Sequence, residues 1–335
     1  MTFDRSRWLY DVPLEVLAGS RFQPTGFPDL GAATFERPVR VENDGTTTTT
    51  WQRALLVESA QSMANRAEAV GWDPAANQPV DVLADLPWVR VLDPDGGYLT
   101  SSRTEAHRLA SAFVKDSTLD GTDMVEVIRE RLGLQGDRPL SPSAIARAIF
   151  ALDPLCLVHG VFFADNRWPG QPKVARVLTG LVEAHDVREA DSGGVKKDSV
   201  RHSLGEVPGG TAEGYGTVPY HRREWTAAEI VASFTIDRAQ IRSYALGDAA
   251  TALLEAVARW QVRCLVDEPL RLRTACDLVA IDPDAVADDR TGESLPGRDA
   301  LETEIRHGIA GCADLTGEGK AIDVTWGGGR AKSKR

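Results

Sequence analysis

From Asp248 to Val266 the apolar residues Leu253, Leu254, Val257, Trp260 and Leu265 recur at the three- and four-residue spacing of one helix face. A few residues later the period changes. Leu270 and Leu272 alternate with Arg271 and Arg273, which is the pattern of a strand whose guanidiniums point away from its leucines. A long amphipathic helix followed by a strand, beside the other helices and strands below, reads as an α+β protein.

Other segments supply the rest of such a fold. The first 50 residues read as loops and short strands, punctuated by Gly and Pro. From Trp51 to about Val70, Leu55, Leu56, Ser59, Met63 and Ala67 predict a helix, with Asn65 and Arg66 off its apolar stripe. Ser102 with Glu105 three residues on reads as a capping box opening a second helix through His107, Leu109 and Phe113. Helices are also expected from Asp123 to Leu132, closed by Gly133, and from Ser141, with Pro142 at its first turn, to Asp153-Pro154. Leu155 to Ala164, Lys173 to Val187, Ile230 to Ile236 and Leu270 to Ile281 read as strands. Ser192 to Pro219 carries seven of the chain's 30 glycines, too many for a regular element, and predicts a long loop or hairpin. The tail from Lys320 onward is basic and is expected to fray.

Composition narrows the function classes. The formal net charge is -11, which argues against a generic binder of polyanions, although nine acids against two arginines between Asp277 and Glu304 account for most of it. No run of apolar residues is long enough to span a membrane, and Met1 to Tyr10 does not resemble a signal peptide, so a cytoplasmic protein is expected. Cys156, Cys264, Cys276 and Cys312 stand far apart and read as buried thiols. Cys156 and His159 have ligand spacing but lack a second pair, and no metal or other cofactor is expected. Phosphate-loop, HExxH and GxSxG motifs are absent, and Gly214-Tyr215-Gly216 leads to Pro219 rather than into a helix. What remains is a set of basic and amide side chains beside glycines and aromatics. Arg21 and Gln23, Lys196 and Lys197, and His221, Arg222 and Arg223 near Tyr215 and Tyr220 suit a single-stranded nucleic acid, with cations for its phosphates and rings for its bases.

Seven blocks carry a family resemblance: Arg21 to Phe35, Leu55 to Arg66, Ser101 to Phe113, Asp153 to Ala164, Ser192 to Asp198, Gly214 to Ile230 and Leu270 to Leu278. Together they resemble the Csb family, the backbone subunits of type I-U (I-G) CRISPR effector complexes. The chain departs from the pattern at Ala110 and Ala112, where Asn and Pro are expected.

The resemblance implies a single RAMP-type subunit over residues 1–335 with a modified RRM (ferredoxin-like) palm and large finger and thumb insertions, the thumb falling in the glycine-rich stretch 192–219. Residues 282–335 lie outside it. It further implies a structural, non-enzymatic role: copies polymerise along a CRISPR RNA (crRNA) with the other Cascade subunits and present the guide to target DNA in antiviral defence. Carried onto this sequence, RNA contacts would come from Arg21, Gln23 and Thr25; from Asn65 and Arg66; from Arg103, His107 and Arg108; from Lys196, Lys197 and Tyr215; from His221 and Arg222; and from Arg271 and Arg273 on a palm strand. Related subunits cut RNA with a loop aspartate, which makes a metal-dependent RNA endonuclease the alternative, with Asp29, Asp165 and Asp198 as its candidates.

Overall fold

The computed structural model describes residues 6–27, 30–136, 138–196, 218–316 and 320–328. The chain enters as strand β1 (Arg7–Val16) and forms a hairpin of β2 (Thr34–Asn43) and β3 (Thr46–Glu58), followed by helix α1 (Ala60–Ala69). After a long insertion it returns as β4 (Leu178–His185), β5 (Arg188–Lys196), β6 (Val218–Thr226) and β7 (Glu229–Asp237). Helix α2 (Asp248–Asp267), strands β8 (Leu270–Arg273) and β9 (Cys276–Ala280), and helix α3 (Arg298–Gly311) complete the main body.

Seven of these strands form one antiparallel sheet in the order β8-β9-β1-β7-β4-β3-β2. Strict alternation explains how it packs. Trp8, Tyr10, Val12 and Leu14 of β1 are buried, as are Ile230, Ala232, Phe234 and Ile236 of β7 and Leu178, Val182 and Ala184 of β4. Gly180 faces Phe234 across the β4/β7 pair. A Cβ at Gly180 would lie 2.7 Å from that ring, so glycine is what lets the phenyl group lie flat on the sheet. Helices α1 and α2 touch each other and the central strands, α1 on β4 and α2 on β7 and β9.

The insertion between α1 and β4, joined by Ala321–Trp326 from beyond α3, builds a second sheet in the order Thr122–Asp123, Ser117–Leu119, Ala321–Trp326, Trp88–Leu92, Tyr98–Ser101. Ala321–Trp326 runs parallel to Trp88–Leu92, and Arg90 donates both Nε and Nη2 to Asp323 at 2.7 Å. The stretch expected to fray therefore begins as an interior strand. Ile322, Val324 and Trp326 alternate with Asp323 and Thr325, a strand period set within a basic stretch.

Several other expectations change. Trp51 to Glu58 is the end of β3, and only Ala60–Ala69 is helical, capped by Ser59, whose hydroxyl accepts from the Ser62 amide at 3.3 Å. Pairing with β2 and β4 overrides the helical spacing of Leu55 and Leu56. The early segment holds two ten-residue strands rather than short ones. Its hairpin turn is Asp44-Gly45, both at positive φ (48° and 75°), the geometry of a type I′ turn that Asp-Gly favours. Ser102 and Glu105 cap no helix: Ser102 Oγ donates to Asp153, and Glu105 accepts from Thr100 Oγ1 at 2.7 Å. Leu155–His159 is a short buried helix that ends at Gly160, not a strand. The segment from Leu270 is a tight hairpin of two strands. Met124–Arg131 and Pro142–Leu152 form as expected, capped by Asp123 and Ser141.

Candidate nucleic-acid interface

Strands β4 and β7 pair from Leu178↔Ile236 to His185↔Glu229, and β5 and β6 continue the same register from Arg188↔Thr226 to Lys196↔Val218. The β5/β6 ribbon is thus the central strand pair of the sheet prolonged outward, interrupted only where Asp186 takes a positive φ. The glycine-rich expectation of a hairpin holds for its described part. Gly193 stands opposite His221, where a Cβ would come within 2.6 Å of the Tyr220 carbonyl. Lys196 ends β5, while Lys197, Tyr215, Asp29 and Asp198 lie outside the described residues.

The segment before β2 docks at the base of this ribbon. Phe22 and Trp225 exchange both backbone hydrogen bonds at 2.9 Å, and both side chains are buried. This joins Gln23 and Thr25 to His221, Arg222 and Arg223 around one open groove of about 420 Å³. Gly26 forms its far rim. A Cβ there would sit 2.3 Å from the Gly31 carbonyl oxygen, so the small hairpin that shapes the rim requires glycine.

Two polar atoms of residues lining the groove, Gln23 Oε1 and Arg222 Nε, are buried and lack a hydrogen-bond partner among the described residues. Arg222 is anchored through Nη2, 2.8 Å from the buried Glu224, and Arg21 approaches the same carboxylate at 3.7 Å. His221 lies 3.3 Å from Asp191 and Arg223 3.2 Å from Glu189, all on the exposed ribbon. Arg53, missed by sequence reading, stacks over the Trp225 ring at 4.9 Å and pairs with Glu189 at 3.1 Å. A misassigned helix hid it: as a residue of β3, it faces the ribbon.

The remaining candidates divide. Arg66 and Arg273 both converge on Glu58, which is buried at the end of β3, at 3.6 and 2.6 Å. Arg66 also donates to the carbonyls of Arg271 and Leu272, and Arg273 to those of Gln23 and Val57. They clamp α1, β3, β8 and the groove loop together. The expected period of two is interrupted between the two arginines by a β-bulge, Arg271 standing opposite Asp277 and Arg273 opposite Cys276, and Arg271 is 78% exposed, with Asp277 at 3.9 Å.

Arg108 is buried at φ +52°, a strained conformation for a long side chain, and is held by Glu68 Oε1 at 2.5 Å and the Gly160 carbonyl at 3.0 Å. Arg103 pairs with the buried Asp153 at 2.8 Å, and His107 is exposed on a neighbouring turn. Burial pushes the Asp153 carboxyl up, while Arg103 and the Ser102 hydroxyl pull it down. Asn65 is exposed on α1. Asp165 is tied to Arg167 and Lys115, and the Arg167 hydrogen bonds hold its carboxyl far below the usual range. Cys156 and His159 are core residues, and His159 Nε2 lies 2.9 Å from Gln261 Nε2. All four cysteines are buried free thiols, and no group of three metal-ligating side chains converges among the described residues.

The sequence model of the CRISPR-associated protein GSU0053 family matches residues 9–189, from β1 into the ribbon. The chain belongs to that family. As a member of the GSU0053 family it carries the groove partly within the matched region, in Gln23 and Thr25, and partly beyond it, in β6. A solved chain described as "CRISPR RNA-guided surveillance complex, pre-nicking" is similar at 9% identity and a TM-score of 0.36, over 81% of this chain and 76% of that one. Among curated proteins nothing matches. No helix among the described residues is long and apolar enough to cross a membrane.

Proposed function

We propose that this family member is a non-enzymatic, cytoplasmic backbone subunit of a type I-U/I-G Cascade-like complex. It holds crRNA at the base of the β5/β6 ribbon and presents it to target DNA alongside further copies of itself and other Cascade subunits. The observation that carries the reading is the pair of unused groups in one groove: the Gln23 carbonyl wants a donor and the Arg222 guanidinium wants an acceptor. A ribose hydroxyl beside a phosphate offers both, irrespective of base, which suits a guide whose bases must stay free to pair.

The palm is read as a modified RRM. In support, β1, α1, β4, β7, α2 and β9 follow one another as β-α-β-β-α-β, and the four strands stand in the sheet order β9-β1-β7-β4. The ribbon is the proposed thumb, and the insertion after α1, with its own sheet, takes the place of the fingers. The test is co-expression with a matching CRISPR array. Nuclease-sensitive RNA of guide length and the other subunits should copurify with the protein, and isolation without RNA would overturn the reading. Cleavage of guide-matched RNA in magnesium, abolished by Asp165→Ala, would restore the endonuclease alternative.

A further inference from the structure

The ribbon leaves the sheet just past one rung. His185 ends β4 and Glu229 begins β7, the two stand opposite each other, and the ribbon pairing resumes at Arg188↔Thr226. Between these points the Ala228 amide donates to the His185 carbonyl at 3.1 Å and the Val187 amide to the Arg53 carbonyl at 3.2 Å. Asp186 there takes its positive φ of 48°.

The side chains of this rung are tied together. His185 Nδ1 lies 2.8 Å from Glu229 Oε2, its Nε2 lies 3.5 Å from Glu183 Oε2, and Arg37 reaches over from β2 to Glu229 at 3.4 Å. The ring is largely buried, with a side-chain exposure of 15%. Its hydrogen bond, with Arg37 in support, holds the Glu229 carboxyl below the usual range although partial burial opposes this. From β3 the residue opposite His185 is the uncharged Ala54, and the adjacent Arg53 is turned to Trp225 and Glu189. Strand β1 contributes Glu15, which lines the same cleft as Glu229. Helix α1 packs on the opposite face of β4, where a Cβ at Gly180 would meet Met63. Both ring nitrogens of His185 therefore face carboxylates. A neutral imidazole has one N–H and can donate to one of them, whereas the imidazolium donates to both.

From this arrangement we infer that His185 is a proton-operated clasp at the root of the ribbon. With both nitrogens protonated it ties Glu183 and Glu229 across the last rung and stiffens the junction; with one proton lost it releases a carboxylate, and the rung frays. His221, Arg222 and Arg223 reach the groove from the ribbon, so the proton governs how firmly that wall of the groove is held. The clasp belongs to the fold of the junction and does not depend on RNA being the ligand of the groove.

The test is amide hydrogen exchange of the intact protein, read as protection factors at about pH 5.5 and about pH 8.5, either side of the range in which imidazoles titrate. Protection of the Ala228 and Val187 amides should fall about fivefold or more at the higher pH. The Asp237 amide, bonded to the Val177 carbonyl at the far end of the β4/β7 pair, should stay level. His185→Gln keeps a donor toward Glu229 but cannot titrate, and should reduce the difference to less than about twofold. Whole-molecule unfolding would not imitate this result, because the buried, neutral His159 moves overall stability in the opposite direction. Equal protection of the wild-type root at the two pH values, or an undiminished fall in His185→Gln, would overturn the clasp.

Discussion

Two populations of arginine occupy this molecule, and they differ in what their removal should expose. Arg66 and Arg273 share Glu58, Arg103 holds Asp153 and Arg108 holds Glu68; each ties elements distant in sequence, and each partner carboxylate is buried or half-buried. Arg21, Arg223 and Arg271 stand largely in solvent with loose or exposed acidic neighbours. Ion pairs of the first kind resist removal of one partner, because the other is left charged in a poor solvent, whereas pairs of the second kind contribute little to folding. Cations that contribute little to folding are the ones free to hold a ligand.

The largest effect should come from the most enclosed pair. Asp153 is fully buried and accepts from Ser102 Oγ at 2.6 Å and the Leu155 amide at 3.1 Å besides pairing with Arg103. Asp153→Ala should cost about 3–5 kcal/mol in urea denaturation. A loss below about 1 kcal/mol would place Arg103 in the solvent-facing population instead. Next comes Glu58→Gln, which keeps the shape of the clamp but removes its charge. A loss of about 2 kcal/mol is expected, the worth of charge-assisted hydrogen bonds, and a double change with Arg273→Ala should be clearly non-additive.

The acidic segment is divided between the two populations. Between Asp277 and Glu304, Asp284 pairs with Arg263 and Glu304 with Arg259, both arginines of α2, while Asp288 accepts from the Leu9 amide at 2.7 Å. Asp288 is buried, whereas Asp284 is 92% exposed and Glu304 half-exposed, so part of the segment's charge faces solvent.

Much of this was legible in advance. The α2 to β8 change of period, the caps of Met124–Arg131 and Pro142–Leu152, and the glycine-rich hairpin follow from local rules. Residues Gln23, Thr25, His221 and Arg222 do meet in one groove. What the sequence hid was non-local. Leu55 and Leu56 have helical spacing yet lie in a strand, because β2 and β4 flank them. Likewise, the sequence does not separate Arg271 from Arg273: a β-bulge between them and the arrival of Glu58 from β3 make Arg273 structural and leave Arg271 exposed.

A side chain whose polar atom has no internal partner should be removable without loss of fold. Gln23→Met deletes the orphan carbonyl while keeping the side chain's length. Melting temperature should stay level or rise, while RNA retention falls about tenfold, the equivalent of one hydrogen bond to a charged or hydroxyl group. A drop in stability with unchanged retention would mean that Gln23 serves the fold.

A buried histidine offers a subtler test. His159 is buried beside Arg108, Arg176 and Arg103, and burial first, then those charges, press its pKa well below the usual value. Folded protein therefore keeps it neutral while the unfolded chain takes up a proton near pH 6.5, so stability is full above that value and lost as pH falls. The difference between wild type and His159→Asn should shift by about 0.8 kcal/mol between pH 7.5 and 6.0.

The smallest effect on folding belongs to Arg271, and it is the most discriminating. Its distant exposed partner predicts a stability change within about 0.5 kcal/mol for Arg271→Ala. If a strand bound in the groove passes the exposed Arg271, that guanidinium neutralises one phosphate on the way. The slope of log affinity against log salt should then flatten by about one, with weakening that is uniform across RNA sequences. Arg273→Ala, by contrast, should lower stability first and binding only through the fold, because removing it uncovers Glu58 and frees the Gln23 carbonyl. Measured singly, the two variants separate cations that hold the protein from those that hold its ligand. An unchanged salt slope for Arg271→Ala would show that the bound strand takes another course out of the groove.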